Sequence, residues 1–128
     1  MNDNPLEAWH RIVVDQDPAR LDALLADDVV FHSPIVHTPQ RGKVLVTRYL
    51  EAALLAFFNP RFHVLRKIAG DSDAMMEFET EIDGVVIDAV DIVKWDATGR
   101  IVDFKVMVRP LKAIGVVQQK MGERLQAG

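Results

Sequence analysis

The sequence contains no cysteine. That excludes disulfides, thiolate nucleophiles and cysteine-ligated metals, and it fits a protein of the cytoplasm. No run of about 18 apolar residues occurs, so no membrane span is expected. The opening Met1-Asn2-Asp3-Asn4-Pro5 lacks the basic and apolar regions of a secretory signal. Fifteen Lys and Arg against nineteen Asp and Glu leave a net charge of −4 with no basic stripe. Phosphate binding needs clustered cations, so no nucleic-acid partner is expected. Phosphate loops, dinucleotide fingerprints and nucleophile elbows are missing, and no cofactor is expected. Repeats, low-complexity tracts and linkers are missing too. Residues 1–128 therefore read as one domain, with 49% hydrophobic residues to build its core.

What is there begins with a well-signalled helix. Asn4 can cap it, Pro5 takes its first position and Glu7 follows three residues after the cap. Leu6, Trp9, His10 and Val13 then share one face. Asp17-Pro18 opens a second short helix, with Leu21, Leu24 and Leu25 as its apolar stripe and Asp27-Asp28 as its end. Val29 to Ser33 reads as a short strand cut off by Pro34, because proline cannot donate to a ladder. Residues 35–41 read as a loop. A third helix is predicted from about Lys43 to Phe58, with Leu45, Tyr49, Ala52, Ala53 and Phe57 on one face and Asn59-Pro60 as its stop.

Four strand patterns follow. Arg61 to Ala69 alternates imperfectly. From Ala74 to Ile82, Met76, Phe78, Thr80 and Ile82 face one way and Met75, Glu77, Glu79 and Glu81 the other, the mark of a half-wet sheet. Asp83-Gly84 is a hairpin turn into Val85–Trp95. Asp96 to Gly99 turns the chain into Arg100–Arg109, where Val102, Phe104, Val106 and Val108 form an apolar row. Leu111 to Leu125 reads as a terminal helix weakened by Gly115 and Gly122. Helices gathered before strands joined by tight turns give an α+β fold. A mostly antiparallel, curved sheet would wrap around the N-terminal helices as a cone, leaving a pocket at its open end.

Asp91 stands in the middle of an apolar strand, on one face with Ile87, Ala89, Val93 and Trp95. A charge there is costly unless paired or used. If that face lines the cone, desolvation raises the carboxyl pKa and suits it to acid–base work near neutrality. The plainer reading pairs it with a core Arg or His, or turns it to a dimer interface. Asp88 lies on the opposite face. His32 and His37 are the nearby imidazoles that could complete an acid–base pair with Asp91. Their spacing across Pro34 is no metal-ligand pattern, so no metal is expected. Met75, Met76, Met107 and Phe57-Phe58 suit an adaptable apolar lining; they equally suit an ordinary core.

Phe31-His32-Ser33-Pro34, then Gly42-Lys43 opening a helix with Tyr49-Leu50, then Asp88-Ala89-Val90-Asp91-Ile92 and Gly99-Arg100-Ile101-Val102, resemble the nuclear-transport-factor-2-like superfamily, and within it the SnoaL-like polyketide-cyclase branch. The resemblance spans nearly the whole chain. It implies the cystatin-like cone and a homodimer formed through the outer sheet face. It also implies a pocket for a small hydrophobic organic ligand. Asp91 matches the strand acid of the SnoaL-like group. Trp9, His10 and Tyr49 match helix positions that border the cavity, with Tyr49 placed to orient a carbonyl. The relay of limonene epoxide hydrolase and the tyrosine-and-two-acids set of ketosteroid isomerase are not seen.

Three functions are compatible with this reading. One is an acid–base enzyme without a cofactor (isomerase, dehydratase, cyclase or hydrolase), using Asp91, His32, His37 and Tyr49. In it, Trp9, His10, Phe57, Met76, Phe78, Val93 and Phe104 would hold the ligand. The second is a binding domain, and the third a dimerisation module whose cavity is filled by its own side chains. The enzyme should bring Asp91 within reach of a second titratable group in a cavity. The binder should have the cavity without that pair, and the module no cavity.

Overall fold

A computed structural model describes residues 4–127. Helix α1 spans Pro5–Asp15, where the Asn4 side chain accepts a hydrogen bond from the Glu7 amide at 3.1 Å. A turn of 3-10 helix, Pro18–Arg20, leads into the one-turn α2, Leu21–Leu24. Strands β1 (Leu25–His32) and β2 (Gln40–Arg41) precede the long helix α3, Lys43–Phe57. Then come β3 (His63–Ala69), β4 (Asp73–Ile82), β5 (Val85–Trp95), β6 (Ile101–Arg109) and α4, Leu111–Ala127. No helix among the described residues is long and apolar enough to cross a membrane.

The six strands form one sheet in the order β2-β1-β6-β5-β4-β3. All pairings are antiparallel except β1 with β6, which is parallel. The β4–β5 hairpin turns at Asp83-Gly84, both with positive φ (51° and 78°), the backbone that the primed turns require. Alternation along β4 and β5 then sends Met76, Phe78, Ile87, Ala89 and Val93 into the core. The helices cover that inner face. Trp9, Ile12 and Val13 of α1, Leu50 and Leu54 of α3, and Ala113 and Val117 of α4 are all buried against it.

Two local expectations change. Leu25 belongs to β1, not to a helical stripe, because it pairs with Ile101 of β6. The strand thus starts four residues before Val29, and the register shift between Leu25 and Val30 absorbs the exposed Asp27-Asp28. Asp17 does not cap the next helix through its side chain; it pairs instead with Arg20 at 3.2 Å. The first reflects tertiary pairing overriding a local propensity, the second a competing local ion pair three residues on. The expected loop 35–41 also ends in a two-residue strand, with Gln40 opposite Phe31.

Candidate active site

Asp91 reaches the interior because β5 alternates strictly around it. Its cross-strand neighbours are Met76 on β4 and Val106 on β6. Only 5% of the residue is exposed. Among the described residues one polar contact meets it: the indole Nε1–H of Trp9 donates to Oδ2 at 2.9 Å. Trp9 is held by its place on α1 and by an edge-on contact with Phe104, ring centres 5.1 Å apart. Burial among apolar groups pushes the Asp91 carboxyl up to about 7, and the Trp9 hydrogen bond opposes that shift. Desolvation penalises the ionised form, whereas a donor favours it. The result is a carboxyl that exchanges its proton near neutral pH.

Asp91 opens onto a small chamber of about 20 Å³. That is room for about one water molecule. Trp9, Phe57, Met76, Phe78 and Phe104 line it as expected, together with Leu50, Phe62 and Val106. The aromatic rings interlock: Phe57 meets Phe78 edge-on at 5.6 Å, and Phe62 meets Phe78 at 5.1 Å. Ala53, Phe57 and Val106 also line a second, larger chamber of about 210 Å³. Its other walls are Phe31 and the turn at Ser33–Val36, Tyr49 of α3, and Val117, Met121 and Leu125 of α4. Helix α4 is tied to α3 where the Arg48 guanidinium donates to the Leu125 carbonyl at 3.3 Å. The cone thus holds an inner chamber with a carboxyl and an outer one beneath the last helix.

The remaining expected site residues are dispersed. His32 faces away from Asp91: Phe31 takes the inward position of β1, so its neighbour turns to the outer face and sits 2.9 Å from Asp103. His37 lies exposed on the adjoining loop and borders the same outer groove as His32 and Lys105. Neither imidazole can pair with Asp91, which corrects the acid–base partnership expected of them. His10 lines neither chamber. It is half-buried at the edge of α1, 2.9 Å from the Lys67 ammonium, which also binds Glu7 at 2.8 Å. Burial first, and then Lys67, lowers its pKa. Val93 is wholly buried in the core beside the site without lining it. Tyr49 borders the outer chamber, its ring tilted against Phe31 with centres 5.8 Å apart, and not the inner one. Asp88 lies on the outer face as expected, receiving a hydrogen bond from Arg109 at 3.0 Å.

Sequence reasoning missed Leu50, Phe62 and the whole outer chamber. Its signal was present: Tyr49, Ala53 and Phe57 recur every four residues on α3, as do Val117, Met121 and Leu125 on α4. Among the described residues no three His, Asp or Glu side chains gather as a metal site would require.

Residues 6–104 match the SnoaL-like domain family. No curated protein matches the chain. Among solved structures, a steroid delta-isomerase from Pseudomonas aeruginosa is similar at 33% identity, with 96% of this chain and 90% of that one covered and a TM-score of 0.89. A protein with a cystatin-like fold from Silicibacter pomeroyi DSS-3 is similar at 27% identity over 94% and 84% of the two chains, TM-score 0.85. A candidate SnoaL-like polyketide cyclase from Shewanella putrefaciens CN-32 shares the fold at 16% identity over 97% and 84%, TM-score 0.64.

Proposed function

This chain belongs to the SnoaL-like domain family, and we propose that it moves a proton on a small hydrophobic organic compound, with Asp91 as the group that takes the proton and gives it back. One observation carries the reading: a buried carboxyl at the end of an apolar cavity, bonded to an indole N–H and to no cation among the described residues. A carboxylate beside a cation would be a weak base. Here the pKa of about 7 leaves it part ionised at neutrality, where a general base works best.

The chemistry follows from that setting. Ionised Asp91 takes a proton from a carbon made acidic by a neighbouring carbonyl. The electron pair left behind delocalises onto the carbonyl oxygen. The protonated carboxyl then returns the proton to a different carbon, and a double bond has moved with no atom gained or lost. Trp9 steadies the ionised carboxylate and fixes the oxygen that reacts. Isomerisation needs a single proton-transfer group, whereas a dehydration or hydrolysis would ask for the partner that His32 and His37 do not provide. The likeness to a steroid delta-isomerase supports the same reaction type.

A second reading, ligand binding without turnover, is favoured by one fact: Asp91 is the sole titratable side chain lining the inner chamber among the described residues. Conversion of a β,γ-unsaturated ketone to its conjugated isomer, followed by ultraviolet absorbance, separates the two. The enzyme reading expects turnover that falls by about 10²–10⁴-fold in Asp91→Asn. Binding without turnover in either protein would replace it with the binding reading. The proposal includes self-association through the outer sheet face, where Met75, Val90, Ile92 and the exposed Met107 sit side by side across three strands.

A further inference from the structure

The chamber beside Asp91 is too small for any organic ligand, and the chamber above it is not. An apolar cavity of about 150 Å³ accommodates benzene. The outer chamber, at about 210 Å³, exceeds that. Pockets for larger, drug-sized ligands begin at about 300 Å³. The space therefore encloses one substituted ring or two fused rings, and the rest of a four-ring skeleton would stand out of its open mouth into water.

Its polar groups are few. The Ser33 hydroxyl already accepts from the Ile35 and Val36 amides, at 3.0 and 3.4 Å, and so holds the turn. Tyr49 and Gln118 make no side-chain hydrogen bond among the described residues, so both are available to a ligand oxygen. Val106 pairs directly across from Asp91 in the sheet and lines both chambers. A ring resting on Val106 thus lies one side chain from the carboxyl. Ala53, with only a methyl group, is the smallest of the three side chains that the two chambers share.

Gly122 is the other informative residue. Glycine in a helix interior sacrifices stability. Yet Gly122 sits in α4 on the chamber wall, where an added Cβ would meet nothing within 4 Å. Open space beside a glycine on the chamber wall is the observation that singles Gly122 out.

We propose that the body of the ligand occupies the outer chamber, that the ligand is a compact ketone of one or two fused rings with its oxygen on Tyr49 or Gln118, and that Gly122 keeps the space open for it. This rests on the proton-transfer reading only for the ligand's being a ketone. The size limit and the place stand on the cavity itself.

Binding and turnover are measured separately. Three stable enones are titrated calorimetrically: cyclohexenone, its two-ring fused homologue, and a four-ring 4-ene-3-one steroid. The proteins are the unaltered chain, Gly122→Leu and Gly122→Ala. The two-ring enone should bind the unaltered chain at least about tenfold more tightly than the steroid. Gly122→Leu should lose at least about tenfold in affinity for it while melting no lower than the unaltered chain, since leucine is the better helix former. Gly122→Ala should lose less, in the same direction, and guards against misfolding of the bulkier variant. Either Tyr49→Phe or Gln118→Leu should weaken the ketone but not a two-ring hydrocarbon of equal size, and no effect of either would remove the polar contact from the proposal.

Undiminished binding in both Gly122 variants would overturn the proposal, as would tightest binding of the steroid, or no binding of any of the three. Enone binding that follows this pattern while no unsaturated ketone is turned over would leave the chamber assignment standing and remove the catalytic reading instead.

Discussion

Asp91 gives this protein's stability a dependence on pH near neutrality. Asp91 holds its proton up to about pH 7 in the folded chain, against an ordinary value of 3.8. The folded state therefore binds the proton more tightly than the unfolded one. The resulting contribution to stability is fully present below the ordinary value, and it is lost as pH rises through the folded pKa, by about 4 kcal/mol in all. Asparagine can still accept from Trp9 and has no charge to bury. Melting curves from about pH 5 to about pH 8 should show Asp91→Asn gaining on the unaltered chain as pH rises; parallel curves would refute the buried titration. The activity, by contrast, should increase with pH through about 7, because the ionised form is the base. Trp9→Phe removes the donor that favours ionisation, so this rise should move to higher pH, and a pH–rate profile reads the shift. The inward aim of Asp91 was legible in the two-residue rhythm of β5. Its partner was not, since the bond joins residues 82 apart in sequence. His32 was misjudged for a related reason: a histidine next to Phe31 on a strand takes whichever face Phe31 leaves.

Elements were legible where their signals were local. Asn4-Pro5 with Glu7 marks the start of α1, and Asp83-Gly84 marks the β4–β5 turn; both stand where the residues put them. The boundary between α2 and β1 was not legible. Leu21, Leu24 and Leu25 satisfy helical spacing, and only the pairing of Leu25 with Ile101 makes the last of them a strand residue. Helix α4 carries two glycines with different roles. Gly115 is exposed and an added Cβ meets nothing within 4 Å, but it borders neither chamber. Gly115→Ala should raise stability in denaturant unfolding by up to about 1 kcal/mol and leave ligand affinity unchanged, which makes it the control for changes at Gly122.

At the scale of the whole molecule, the layer order was legible because helices and strands segregate along the chain. The closing pair, β1 parallel to β6, had no local signature. Curvature puts the charged and polar groups on the outside, yet Val86 and Met107 remain about half exposed there, at 52% each. If copies associate through this face, Met107→Glu should shift the sedimentation behaviour toward the monomer without lowering the melting temperature of dilute protein. An unchanged assembly would place the contact elsewhere.

That parallel pair also has a consequence in time. Strand β1 emerges early from the ribosome, but its neighbour in the sheet is the last strand to be made. Until β6 arrives, β1 and β5 both present unpaired edges, which are templates for wrong partners. Joining distant segments is also slow. The inner wall carrying Phe31, Phe104 and Val106 therefore closes only once β6 is made, with α4 still to follow, and a chain interrupted before Ile101 would be an aggregation hazard lacking that wall.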